Sequence, residues 1–249
     1  MSTPAFPWHR LPGLAGGIDK DGSRAGELLT LGFGSVEFGT VAPHPEGNSS
    51  LDLLVQRLTA LPPRQPGAAA IGIGLGLAPD TLPADLPATW LAGLAGAWPV
   101  ADYLSFNLSA RAYRPLLAGE YLPLLAGALK AITAARERLP RRVSLALKLP
   151  LGGGEEALPA VAEAAADAGF DMVTAVLPEA GEGFARLAAL ARRLECWDGG
   201  PALVAVGGIR SATDVRTALA AGASGVQVHR LFVEQGAACL SLLREGLPR

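Results

Sequence analysis

Cysteine is nearly absent from this 249-residue sequence, with Cys196 and Cys239 the only two. Two thiols so far apart make neither a disulfide framework nor a cysteine metal site, so both read as ordinary thiols, Cys239 on a core-facing helix. Histidine is as scarce: His9, His44 and His229 are widely separated, the first two in loops, and no metal centre is expected. Nowhere do 18 or more apolar residues run together, as a membrane span requires. Residues 1–10 carry two prolines and lack the apolar core of a secretory signal, so the expected setting is cytoplasmic, without a membrane. An excess of one charge is missing too, since 21 Lys and Arg face 23 Asp and Glu. With no basic run, a nucleic-acid partner is not expected.

Lysine is the rarest charged residue, three against 18 arginines. Lys20 and Lys148 both end an apolar run that reads as a β-strand, Leu11 to Lys20 and Val143 to Lys148. A parallel α/β barrel places its active site at the carboxyl ends of its strands, which makes both lysines candidate site residues. The plainer alternative is that both are strand-terminal charges reaching for solvent.

The composition, 50% hydrophobic and 18% charged, suits one globular domain over residues 1–249, near the length typical of a (β/α)8 barrel. Short apolar runs alternate with Ala/Leu-rich segments at helical spacing, the signature of repeated βα units. Strands are predicted at 12–18, 34–40, 68–74, 102–108, 142–149, 171–177, 202–207 and 224–229. Helices are predicted at 22–31, 51–60, 88–97, 118–138, 154–168, 181–195, 211–221 and 234–246. Eight such units predict a single (β/α)8 TIM barrel with every βα loop on one face.

Pro201 to Ile209 reads as a buried strand ending in the pair Gly207-Gly208, and Ala221 to Arg230 as a helix stop followed by the last strand. Loops after the seventh and eighth strands of a barrel commonly cradle a phosphate, because glycine lets bare backbone approach the anion. Glycine pairs also occur as simple tight turns.

The run Gly13-Leu14-Ala15-Gly16-Gly17-Ile18-Asp19-Lys20-Asp21-Gly22, with Leu31 to Val41 and Pro43 to Asn48, resembles the first two strands of the dihydroorotate dehydrogenase family, particularly its quinone-linked class. The resemblance covers about residues 11–60 and 100–247, and the Val206-Gly207-Gly208-Ile209 and Ala221 to Gln227 runs are similar to that family's FMN phosphate site. It implies FMN as cofactor across the barrel mouth. Ala15, Gly16, Lys20, Thr40, Asn107 and Lys148 would face the flavin, and Gly207, Gly208, His229 and Arg230 would surround its phosphate. Lys148 suits stabilisation of reduced flavin, and Lys20 is open to a second role, binding an anionic substrate.

Departures from the family pattern are equally specific. Asn107-Leu108-Ser109-Ala110-Arg111-Ala112 puts alanine where the resemblance implies the proton-abstracting base, and alanine again where an asparagine would hold the substrate. Leu61-Pro62, Gly74 and Leu177-Pro178 stand where other family asparagines and a threonine are expected. Losing amide side chains removes polar recognition by orders of magnitude, so dihydroorotate is not the expected substrate. The first strand begins near residue 12, without the family's quinone-tunnel hairpin, which argues against quinone as electron acceptor. Arg111 and Arg114 after the fourth strand, and Glu179 and Glu182 after the sixth, are either a basic and an acidic side of the mouth or solvated loop charges. Glu37, within the second strand, reads as a buried carboxylate partner. Tyr113 reads as a proton donor or as packing.

Two readings follow. In the first, an FMN-dependent oxidoreductase acts on another biosynthetic small molecule, anionic if Lys20 binds it, with Lys20, Ser109, Tyr113 and Glu179 as catalytic candidates. In the second, the barrel has lost redox chemistry and persists as a phosphate-ligand-binding or complex-forming subunit, or performs non-redox chemistry with a bound phosphate compound. Ala- and Leu-rich outer helices allow a homodimer.

Overall fold

Residues 144–149, Ser-Leu-Ala-Leu-Lys-Leu, divide their side chains between two environments, as the period-two alternation of a strand requires. Leu145, Leu147 and Leu149 join the large apolar cluster beneath the helices, whereas Ala146 packs inside with Tyr103, Met172 and Val204. Lys148 shares the parity of Ala146 and turns inward. By the same rule Val36 and Phe38 face out and Ser35 and Glu37 face in; Leu104 and Phe106 face out and Tyr103, Ser105 and Asn107 face in.

The computed structural model describes residues 11–43, 49–153, 156–178 and 182–247. Eight parallel strands, β1 (Gly13–Leu14), β2 (Ser35–Val41), β3 (Ala70–Leu75), β4 (Tyr103–Asn107), β5 (Ser144–Pro150), β6 (Met172–Val176), β7 (Ala202–Val206) and β8 (Gly225–Val228), close in sequence order into a barrel. Helices α1 (Ala25–Leu28), α2 (Ser50–Thr59), α3 (Leu86–Ala97), α4 (Leu122–Arg136), α5 (Val161–Asp167), α6 (Gly183–Leu194), α7 (Ala212–Ala220), α8 (Arg230–Gln235) and α9 (Cys239–Arg244) follow the strands. The fold is the predicted (β/α)8 barrel. Cys239 is buried on α9 and Cys196 is exposed.

Between sheet and helices, Phe106 meets Trp90 and Phe170 edge-on, with centroids 5.3 and 5.8 Å apart. Such geometry adds about 0.5–1.5 kcal/mol per pair beyond area burial. At the amino-terminal rim, carboxylates tie strand starts to their neighbours. Asp102 accepts from the Ile71 amide at 2.7 Å and from Arg64, while Asp171 accepts from the Leu145 amide at 2.8 Å and from Arg136 and Arg142.

Several helix expectations need correction. The predicted 22–31 helix contracts to α1 because the Asp19 carboxylate takes the Gly22 and Arg24 amides, both at 2.9 Å, holding residues 19–24 in a turn. The predicted 234–246 helix is two helices, α8 ending at Gly236, whose φ of +56° leaves helical geometry. The predicted 118–138 helix begins at Leu122, after 3-10 segments at Arg111–Leu117 and Gly119–Tyr121. The predicted 154–168 helix contracts to α5 at Val161–Asp167; its residues 154 and 155, and 181 of the sixth, lie outside the described residues. No single described helix is long and apolar enough to cross a membrane; Arg111–Leu117 and Gly119–Arg136 reach that length and apolarity only as a pair bent by 74°.

Candidate ligand site at the carboxyl rim

The strand ends on the β5–β8 side, with the segment after β1, enclose a cavity of about 340 Å³. Ala15 and Gly16 form one wall, Ser109 and Lys148 lie on another side, and Val176 and Leu177 continue it. Gly207 and Gly208, then His229 and Arg230, complete the lining. Positive φ at Gly207 (89°) and Gly208 (69°) produces the left-handed turn that only glycine adopts without strain. A methyl at Gly207 would meet the Leu177 carbonyl oxygen at 3.0 Å, whereas one at Gly208 meets nothing within 4 Å. That turn is a bare-backbone concavity of the kind that receives anions.

Basic side chains gather at the same end. Arg210 lines the cavity and pairs with Glu234 at 2.6 Å. His229, at the rim, stands against Gly17, where a methyl would come within 3.3 Å of Nε2. Its pKa is lowered by partial desolvation and by the positive charges of Lys148 and Arg230. An anion would reverse the second of these effects.

Lys148 forms the floor, only 7% exposed, its Nζ 3.1 Å from Glu37 Oε1. Tyr103 donates its hydroxyl to Glu37 Oε2 at 3.4 Å, and Gln227 Nε2 lies 3.1 Å from the Tyr103 oxygen. Desolvation and the Glu37 charge raise the Tyr103 pKa well above the usual phenol range, so it remains a neutral donor. Two glycines make room. A methyl at Gly72 would sit 2.1 Å from the Tyr103 ring, and one at Gly16 2.7 Å from Glu37 Oε1.

Of the residues predicted from sequence, Ala15, Gly16, Ser109, Lys148, Gly207, Gly208, His229 and Arg230 meet on this one cavity. Thr40, Asn107, Tyr113 and Lys20 are not among its walls. Asn107 Nδ2 donates to Thr40 Oγ1 at 3.0 Å, and its Oδ1 accepts both the amide and the hydroxyl of Ser109. Tyr113 donates to the Leu77 carbonyl at 2.8 Å and accepts the Leu77 amide at 2.9 Å. The Ser109 and Tyr113 hydroxyls are thus engaged with an amide oxygen and with backbone respectively. Lys20 is exposed beyond the Asp19 turn, Arg111, Arg114 and Glu182 are exposed, and Arg114 borders a separate hollow. Glu179, His9 and His44 lie outside the described residues. No cluster of metal-binding side chains exists among the described residues.

Sequence reasoning missed Arg210 and the Tyr103–Gln227 link to Glu37. Inward parity of Tyr103, Gln227 and Glu37 was the available signal.

No family model matches the chain. Curated relatives do: dihydroorotate dehydrogenase (quinone) of Azotobacter vinelandii is 30% identical over 282 residues, covering 94% of this chain and 79% of the relative. The enzyme of the same name from Bordetella pertussis is 28% identical, with 94% and 81% covered. The crystal structure of ligand-free DHODH from Eimeria tenella superposes with a TM-score of 0.76 at 19% identity, over 94% of this chain and 82% of that one. Its complex with ferulenol gives 0.75 at 20% identity, over 94% and 79%. With its closed barrel, its rim cavity and these relatives, the chain belongs to the dihydroorotate dehydrogenase family.

Proposed function

We propose that this chain is an FMN-dependent oxidoreductase acting on a small molecule other than dihydroorotate. Its relatives belong to a family of flavin enzymes. The observation that carries the reading is one cavity lined both by a left-handed glycine pair and by a buried ammonium. The residues present fit the group: the glycine turn offers bare backbone to a phosphate, and Gln227 Oε1, at the cavity wall, is buried without a hydrogen-bond partner. When bound, FMN supplies two-electron redox chemistry.

In this reading Gly207, Gly208, His229 and Arg230 hold the phosphate, Ala15 and Gly16 flank the ring, and Lys148 donates a proton of its ammonium as a hydrogen bond to a ring acceptor. The change of substrate rests on Ala110, which has no proton-accepting group, and on Ser109, whose hydroxyl already donates to Asn107 at 2.7 Å. A substrate for this site therefore loses or gains its hydrogen without help from a base at residue 110. Purified protein should show the visible bands of oxidised flavin, directly or after incubation with FMN, and Lys148→Ala should lower flavin occupancy. Unchanged occupancy in that variant would contradict the ring assignment.

The engaged hydroxyls of Ser109 and Tyr113 favour one other reading, a barrel that binds a phosphate compound or a protein partner without redox chemistry. A colourless protein that takes up no FMN yet binds inorganic phosphate would establish it over the first.

A further inference from the structure

The cavity is electrostatically uneven. The glycine-turn end gathers His229, Arg230 and Arg210, the last paired with the exposed Glu234, whereas the floor holds one cation buried against a carboxylate. The Lys148 and Glu37 side chains are 9% and 1% exposed, so water screens their 3.1 Å contact weakly. Glu37 is itself held from across the barrel, by Tyr103 from β4 and Gln227 from β8, with Gln227 Nε2 3.5 Å from Glu37 Oε2. Beside Lys148 in the sheet stand the uncharged Asn107 and Thr174. Of the titratable groups near the pair, Tyr103 faces Glu37 and His229 feels the Lys148 charge, with Arg230 acting on His229 in turn.

We propose that Glu37 is a positioning residue that holds the Lys148 side chain aimed into the cavity and offsets much of its charge. The floor then recognises a neutral hydrogen-bond acceptor, such as a ring carbonyl, and leaves anion recognition to the glycine turn. The favoured ligand class is a phosphate monoester carrying a neutral carbonyl-bearing ring; that this ring is a flavin rests on the function proposed above. Glycine at residue 16 belongs to the same device, because any side chain there would collide with Glu37. The arrangement also limits how far the floor stabilises a negatively charged ring.

The test begins with ligand-free protein. Acetic anhydride labels its three lysines, read by mass spectrometry across a pH series, with Lys20 and Lys130 as internal references. In Glu37→Gln a buried ammonium without its carboxylate gives up its proton more readily, so the Lys148 profile should move to lower pH. At a fixed pH on the rising limb, labelling should increase about tenfold over wild type. General loosening would instead raise labelling equally at every pH, and that result, or an unmoved profile, would overturn the proposal. Glu37→Asp should return the profile part of the way. In FMN-loaded protein, sulfite adds to the flavin and makes the ring anionic, so Glu37→Gln should bind sulfite about tenfold more tightly, and equal affinity would contradict the offset charge. Failure of wild type to take up FMN would sink the cofactor reading alone, with labelling still deciding the pair.

Discussion

At the scale of single residues, the site depends on groups far apart in sequence meeting in a poorly hydrated interior. Lys148 was readable because parity and a strand end combined in one short run, and Glu37 because a carboxylate within a strand needs a partner. Tyr113 was not readable: its partner is the backbone of Leu77, and side-chain-to-backbone bonds across loops leave no mark in composition. The exposure of Lys20 was not readable for a related reason, since the Asp19 turn beside it depends on amides at residues 22 and 24. A pH dependence follows from His229. Its pKa is depressed, so the folded state resists protonation, and the stability involved is present above the ordinary histidine value, about 6.5, and is lost as pH falls below it. Thermal midpoints measured through that range should fall less in His229→Gln than in wild type; parallel curves would contradict this.

Among the elements, β3 states its constraint most clearly. Ile71, Ile73 and Leu75 face the helices, and Gly72 and Gly74 face inward beside Tyr103 and Glu37. Gly72→Ala would press a methyl into the Tyr103 ring and should destabilise the barrel by about 1–3 kcal/mol, read by urea unfolding. The turn after β7 behaves differently. Gly208→Ala has open space but unfavourable φ, so it should cost about 1 kcal/mol in the same assay while weakening FMN binding more than Gly72→Ala does. The break between α8 and α9 was hidden because the apolar spacing runs through it and only the φ of Gly236 interrupts it.

For the whole molecule, repeated alternation of apolar strand and amphipathic helix made the barrel legible, since eight such units have few other ways to bury both faces of a parallel sheet. The arginine clamps at the far rim were not legible, because nothing local marks Arg136 as the partner of Asp171. Arg136 is 3% exposed and bonds Asp171 at 2.6 Å. Arg136→Met removes the buried partner of a carboxylate that keeps Arg142 and the Leu145 amide, and should cost about 2–3 kcal/mol in unfolding free energy, below the cost of a fully unpaired buried charge. The rim cavity should keep its ligand affinity wherever the variant remains folded, because the clamp lies at the opposite end of the strands.

The most direct measurement is a fluorescence titration of the purified protein with FMN and, in parallel, with riboflavin, which has the same ring and no phosphate. A cavity built around Gly207, Gly208, His229 and Arg230 together with Lys148 should bind FMN at least about tenfold more tightly, about 1.4 kcal/mol. Equal affinity for the two, or no binding of either, would contradict it.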